Sequence, residues 1–152
     1  MLAEIIKEDL IFSEICSTSK EEALRTMVNR VARECEEVGG ETLFSTIMER
    51  ERLSSTGIGS GIAIPHARVS GLKGHVGVFG RSREGIPFDA IDAKPVHLIF
   101  LILGPAGANE VHLKILARIS KFLHDSTFRD KLMSVEGATG IYQTISEKDA
   151  QY

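Results

Sequence analysis

Residues 50–68 combine side chains and backbone freedom that suit phosphoryl chemistry. His66 follows Pro65 and a stretch with three glycines at alternate positions, and Arg50 and Arg52 stand upstream. Neutral imidazole is a good nucleophile toward phosphorus near neutral pH, and its phosphoramidate is readily passed on. A bound phosphoryl group adds negative charge, which guanidinium and amide donors stabilise. The segment therefore predicts a site where His66 holds a phosphoryl group.

The glycines of this segment could supply part of an anion cradle. Gly57, Gly59 and Gly61 leave the backbone free to turn its amides toward one point. We predict that these amides, together with Ser55 and Thr56, bind the phosphoryl group. Glycine-rich loops are common, so the glycines alone are weak evidence.

His112 is predicted to share the site. It precedes Ile115 by three residues at the start of an amphipathic helix, so it lies on the buried side of the first turn. Open α/β folds keep their sites at the mouth of the sheet, and from that turn His112 could orient His66 or bind the phosphoryl group.

Ordinary interpretations of these residues stay open. A histidine behind a proline is often only a loop residue, and His112 on an apolar stripe would more often be a core residue. Arg50 and Arg52 belong to a charge run, which is usually a solvated face. The remaining histidines are interpreted as structural or surface residues: His97 within a strand, His124 near a helix end and His75 at the exposed end of a strand.

The surrounding sequence alternates predicted helices with predicted strands. A capping box at Ser19 opens a helix that continues at apolar spacing to Cys35 and ends at Gly39–Gly40. Val96–Leu103 is a continuous apolar run, which indicates a central strand buried on both faces. The other elements are a helix at about 41–53, a strand at 75–80 and a turn-rich connection at 87–92. Three more helices follow: one at about 109–124, one that begins after a cap at Ser126 or Thr127, and one that begins after Gly137. This order predicts an α/β sandwich.

Composition restricts the class of protein. The 152 residues suffice for one domain with a real core; 43% are hydrophobic and 26% charged, and the net charge of -3 indicates neither nucleic acid nor a membrane surface as partner. Cys16 and Cys35 lack a metal-binding spacing, and Cys35 is expected to be a buried free thiol. Without a basic leader region or an apolar run long enough to span a bilayer, the chain is expected to be cytoplasmic and not inserted in a membrane.

Familiar nucleotide, metal and hydrolase motifs are missing from the sequence. It has no P-loop, no dinucleotide-binding glycine fingerprint, no zinc-protease motif and no nucleophile elbow of a serine hydrolase. We therefore expect no metal and no organic cofactor.

The run Glu51–Ala67, ERLSSTGIGSGIAIPHA, resembles the active-site signature of a known family. This family comprises the fructose/mannitol-type IIA domains of the bacterial phosphoenolpyruvate-dependent sugar phosphotransferase system, including the nitrogen-regulatory (PtsN-like) proteins. The resemblance continues at 19–24, 88–92, 95–103 and 112–116, which covers nearly the whole chain. It implies one domain over residues 1–152, with a mixed β-sheet flanked by helices.

The resemblance also implies roles for three residues. The family's phosphoryl-accepting histidine follows Ile-Pro, which is His66 here, and its second active-site histidine matches His112. Its conserved arginine matches Arg50 better than Arg52. Ala67 stands where the family often has glycine and keeps a small side chain, and Arg68 could assist an anion or a partner.

The resemblance implies a phosphoryl donor and leaves two roles open, sugar transport and regulation. HPr or an HPr-like carrier would donate to His66, and a transport protein would pass the group to a cysteine of a IIB domain. A regulatory protein would instead change its binding to target proteins with its phosphorylation state, and this is the version we favour. An unphosphorylated binding module on the same fold is a third alternative, which the joint presence of Arg50, His66 and His112 disfavours.

Overall fold

The computed structural model describes residues 2–152, in which helices cover both faces of one mixed sheet. The helices are α1 (Leu2–Ile5), α2 (Lys20–Val31), α3 (Gly40–Leu53), α4 (Asn109–Leu123), α5 (Ser126–Ser134) and α6 (Gly137–Gln151). The strands are β1 (Ile11–Phe12), β2 (Gly57–Gly59), β3 (Ile62–Ala63), β4 (His66–Val69), β5 (Val76–Ile86) and β6 (Val96–Pro105). The predicted α/β sandwich with a mixed sheet flanked by helices is confirmed.

Strand β6 is the centre of this sheet, whose order is β1-β5-β6-β3-β2. On one side β6 pairs antiparallel with β5, and β1 then pairs parallel with β5. On its other side β6 pairs parallel first with β3 and then, further along, with β4. Ile64 and Pro65 separate β3 from β4, so these two strands follow one edge of β6 with an interruption directly before His66.

Alternation along β6 divides the core into two layers. Ile99, Leu101 and Leu103 pack in the layer that contains the apolar residues of α2 and α3. Leu98, Phe100 and Ile102 pack in the layer that contains those of α1, α4, α5 and α6. Successive side chains of a strand point to opposite faces, so a strand covered on both sides must be apolar throughout. The predicted buried central strand is confirmed.

Helix α2 begins as predicted but ends earlier. The Ser19 hydroxyl accepts a hydrogen bond from the Glu22 amide at 3.2 Å. The α-helix stops at Val31, and a 3-10 turn follows it before Cys35. Gly39, with φ +91, precedes α3, so the glycine pair opens the next helix rather than ending α2, which corrects the prediction.

Two further local predictions have different outcomes. Cys35 is buried and free, as predicted, and burial raises the pKa of its thiol to about 11, with Glu37 and Glu34 adding to the shift. The predicted cap of α5 at Ser126 or Thr127 is wrong. Asp125 caps this helix, because its carboxylate accepts the Thr127 amide at 3.0 Å. Within residues 2–152, no helix has the length and apolar character needed to cross a bilayer.

Candidate phosphoryl-transfer site

His66 reaches the site because it begins β4 at the interruption of the sheet edge. In this strand Ala67 and Val69 are buried in the core layer of α2 and α3. Their neighbours His66 and Arg68 therefore point to the opposite face, where α4 lies. Pairing of His66 with Ile102 of β6 fixes this register.

A single hydrogen bond sets the tautomer of His66. Its Nδ1 lies 2.8 Å from the carbonyl oxygen of Ile64. A carbonyl oxygen can only accept, so Nδ1 carries the proton and Nε2 keeps its lone pair. Burial lowers the pKa of His66, and the charges of Arg50 and Arg68 lower it further against the opposing effects of the Ile64 carbonyl and Glu51. His66 is thus held in its neutral, nucleophilic form near neutral pH.

His112 lies beside His66, as the sequence predicts. It belongs to the first turn of α4, its side of the helix is buried, and only 4% of its surface is exposed. The two ring centroids are 5.7 Å apart. Burial lowers the pKa of His112 to about 4, and His66, His75 and Arg68 add to the shift. Its Nε2 is buried and has no hydrogen-bond partner among residues 2–152.

His75 is a third member of this cluster, which the sequence interpretation as an exposed strand-end residue missed. It is half-buried just before β5, and its Nε2 lies 3.2 Å from Nδ1 of His112. The two rings have centroids 5.4 Å apart. Only the pairing of β5 with β6 brings His75 to α4, so nothing local in the sequence could have revealed this contact.

Two arginines approach the same cavity from different elements. Arg50, in the last turn of α3, donates from Nη1 to the Ser54 carbonyl at 2.8 Å. Arg68 donates from Nη1 to the side-chain oxygen of Asn109, the first residue of α4. The cavity encloses about 820 Å³ between α3, β4 and α4. It is lined by Thr46, Glu49, Arg50, Leu53, His66, Ala67, Arg68, Ala106, Asn109, His112, Leu113 and Leu116.

Glu51 anchors the loop that leaves α3, although it belongs to the charge run of Arg50 and Arg52, and such a run is usually a solvated face. Its side chain is only 1% exposed and forms an ion pair of 2.7 Å with Lys20. Its carboxylate also accepts hydrogen bonds from the amide and the hydroxyl of Thr56. Spacing could have indicated this burial, because Glu51 continues the stripe of Leu43 and Ile47 at four-residue intervals.

The structure places the predicted glycine cradle away from this cavity. None of its three glycines, nor Ser55 or Thr56, is among the cavity-lining residues. A side chain at Gly57 would strike Ala90, and one at Gly61 would approach His97. The Ser55 hydroxyl donates to the Phe88 carbonyl at 2.7 Å. The segment thus packs on residues 88–97, and its predicted contact with a phosphoryl group finds no support in this placement.

Gly59 lies outside the cavity as well. Gly59, with φ +96, lies in the left-handed region that favours glycine and is close to Asp92. Within the described residues, no three His, Cys, Asp or Glu side chains are arranged to hold a metal ion.

The fold is that of solved IIA proteins of the phosphotransferase system. Residues 4–148 match the profile of the family described as phosphoenolpyruvate-dependent sugar phosphotransferase system, EIIA 2. The chain therefore belongs to the EIIA 2 family of that system.

Several relatives within this family resemble almost the whole chain. The nitrogen regulatory protein of Pseudomonas aeruginosa is 40% identical over 127 residues, which cover 84% of this chain and 82% of that protein. The fructose-specific EIIA component of Haloferax volcanii is 34% identical over 146 residues, covering 96% and 95% of the two chains. The crystal structure of the nitrogen regulatory protein IIA-Ntr from Neisseria meningitidis has a TM-score of 0.89 at 34% identity, covering 94% and 97% of the two chains. The resemblance to a IIA domain of the fructose/mannitol/nitrogen-regulatory type is confirmed.

Acid is expected to destabilise the protein through His112. Its pKa is 6.5 as a free group and about 4 in the fold, so between these values the unfolded chain binds the additional proton. The free energy of unfolding should therefore fall as the pH decreases through this window, by about 3 kcal/mol from this residue. Urea unfolding at several pH values should show a shallower decline for His112→Gln than for the wild type. Parallel declines for the two proteins would contradict this assignment.

Proposed function

We propose that the protein is a histidine phosphocarrier in which Nε2 of His66 accepts a phosphoryl group from HPr or an HPr-like carrier. The observation that carries this proposal is the hydrogen bond from Nδ1 of His66 to the Ile64 carbonyl. It leaves the lone pair on Nε2 of a neutral imidazole that lines the cavity. Half-buried, the ring remains within reach of a donor.

Transfer to His66 would be an in-line exchange between two imidazoles. Nε2 of His66 attacks the phosphorus on the donor's phosphohistidine, and a new N–P bond forms while the old one breaks. The donor imidazole, protonated on its other nitrogen, keeps the electron pair and leaves neutral. His66 need lose no proton, because its Nδ1–H stays on the Ile64 carbonyl. The reaction requires positioning and charge stabilisation, and the step contains no redox change.

Positive charge around His66 supports the same reaction. Arg50 and Arg68 lower the pKa of His66 because they disfavour a cation there, and the same field favours an anionic phosphoryl group. The first turn of α4 borders the cavity at Asn109, and the N-cap residue Ala108 before it provides no side-chain hydrogen bond. Its free amides would add to this field. His112, next to His66, would donate to a phosphoryl oxygen from Nε2.

The downstream role is proposed to be regulatory. Nitrogen regulatory proteins of Pseudomonas aeruginosa and Bradyrhizobium diazoefficiens match most of this chain and most of their own length. In such a role the phosphorylation state of His66 would change which target proteins are bound.

A transport role is the second candidate, since the Haloferax volcanii relative of similar length is named a fructose-specific EIIA component. A solved complex of mannitol enzyme IIA with phosphorylated enzyme IIB contains a domain of the same fold, with a TM-score of 0.77. By analogy, the acceptor in that role would be a IIB domain. Transfer of the labelled phosphoryl group to an added IIB domain would favour transport, and its absence with a competent IIB domain would favour regulation.

The proposal is tested by the mass of the intact protein after incubation with phosphoenolpyruvate, enzyme I and HPr. We expect a gain of one phosphoryl group that is lost in acid and kept in base, as is characteristic of phosphohistidine. Peptide mapping should place the group on His66. No gain, with donors verified on a known acceptor, would refute the phosphocarrier proposal.

A further inference from the structure

The contact between His75 and His112 is not explained by the acceptor chemistry of His66. Nε2 of His75 and Nδ1 of His112 lie 3.2 Å apart, within hydrogen-bond distance. Two imidazole nitrogens can share a hydrogen bond only if one carries the proton and the other offers its lone pair. This contact therefore couples the tautomers of the two rings, because a proton on one nitrogen requires a lone pair on the other.

The fold leaves room for this contact at one position of β6. Val76 pairs with Leu103, so His75 lies opposite Gly104 at the next position. A side-chain carbon at Gly104 would overlap with Nε2 and the neighbouring ring atoms of His75. Because Gly104 has no side chain, the His75 ring can lie across β6 and reach α4.

We propose that His75 is a positioning residue, which donates its Nε2–H to Nδ1 of His112 and thereby holds His112 in the tautomer that carries its proton on Nε2. That nitrogen is buried and has no hydrogen-bond partner among residues 2–152. His112 lines the cavity beside His66, so a donor at this nitrogen is available for an oxygen of the phosphoryl group.

The opposite orientation of the hydrogen bond would disable His112 as a donor. If Nδ1 of His112 carried the proton, its Nε2 would present a lone pair toward the negative oxygens of a phosphoryl group. A hydrogen bond would then be replaced by repulsion between a lone pair and an anion. His75 thus acts through His112 and has no contact of its own with the reacting atoms. The direction of this hydrogen bond is inferred from the proposed function, whereas its measurement in the unphosphorylated protein does not depend on that function.

Nitrogen-15 NMR of the unphosphorylated protein tests the tautomer directly. Long-range proton–nitrogen correlations distinguish a protonated ring nitrogen from one with a lone pair. We expect His112 of the wild type to be protonated on Nε2 and to have a lone pair on Nδ1. His75→Gln keeps a donor at nearly the same reach and should preserve this pattern. His75→Leu removes the donor and excludes water, so the pattern should be lost.

Gly104→Ala provides a second, independent disruption that retains His75. The backbone at this position is outside the left-handed region, so alanine can adopt it, and the group that must move is the end of the flexible His75 side chain. We expect the His112 tautomer in Gly104→Ala to change as it does in His75→Leu. This variant keeps the inference testable if His75→Leu fails to fold.

Transfer kinetics with HPr as donor test the consequence for catalysis. We expect His75→Leu to lower the turnover rate about tenfold, because one hydrogen bond to a charged group is lost, and to leave the KM for HPr unchanged. His75→Gln should restore most of the rate. A wild-type His112 protonated on Nδ1, or a tautomer that is the same in all variants, would overturn the inference. Absence of phosphorylation in the wild type would instead refute the proposed function, while the spectra would still decide the tautomer.

Discussion

Replacing His66 with alanine is expected to abolish the acid-labile gain of one phosphoryl group, lowering the rate of phosphorylation at least about a thousandfold. The alternative nucleophiles are poorly placed. Nε2 of His112 carries a proton in the proposed tautomer and therefore has no lone pair with which to attack phosphorus. His75 is engaged with His112. Intact-protein mass after incubation with phosphoenolpyruvate, enzyme I and HPr measures the effect.

His124→Ala is the matched control for His66→Ala. His124 is exposed at the C-terminal end of α4 and is not among the residues that line the cavity. The control variant should therefore gain one phosphoryl group at the wild-type rate. Circular dichroism should show that His66→Ala keeps the wild-type fold, because His66 is only half-buried and forms one side-chain hydrogen bond to Ile64. Full phosphorylation of a folded His66→Ala protein would show that another residue is the acceptor.

Burial and nearby positive charge keep His66 and His112 neutral, and the positive charge would also favour an anion in the cavity. Burial removes the water that would stabilise imidazolium and is the largest cause of the lowered pKa of each histidine. Arg68 lowers the pKa of both residues further. The contribution of Arg68 to both pKa shifts, unlike that of burial, has the sign that would favour a negatively charged group.

Features encoded in local periodicity could be predicted from the sequence. The apolar run of β6 has to be buried on both faces, and the structure covers it with two layers of helices. Helical spacing placed His112 on the buried side of α4, where it is 4% exposed. The family resemblance implies that His66 and His112 share a site, and their rings are 5.7 Å apart.

Features that depend on strand pairing could not be predicted in the same way. His75 reaches His112 only through the register of β5 on β6, which a single sequence does not reveal. The glycines before His66 predicted an anion cradle from local freedom alone. In the fold, Gly57 packs closely against Ala90. Glycine makes a turn possible, but the side of the molecule that the turn faces depends on tertiary contacts, which local sequence does not reveal.

The burial of Glu51 was indicated by the sequence, but a second pattern in the same residues indicated exposure. Its position at four-residue intervals from Leu43 and Ile47 indicates a buried side, whereas the charge run around it indicates solvent. The structure reconciles the two patterns because Lys20 and Thr56 satisfy the carboxylate inside the protein. Glu51 therefore joins α2, α3 and the loop after α3, immediately next to Arg50.

Glu51→Ala is expected to lower the free energy of unfolding by about 3 kcal/mol, because it leaves the amide and hydroxyl of Thr56 and the ammonium of Lys20 without their acceptor. For a chain of this size the midpoint of thermal unfolding should fall by about 10 °C. Glu49→Ala is the matched control, since Glu49 is exposed on the same helix, and it should change the free energy of unfolding by less than about 0.5 kcal/mol. Urea and thermal unfolding of the two variants measure the difference. Equal stability of the two variants would show that Lys20 and Thr56 find other partners, and that the loop beside Arg50 does not depend on Glu51.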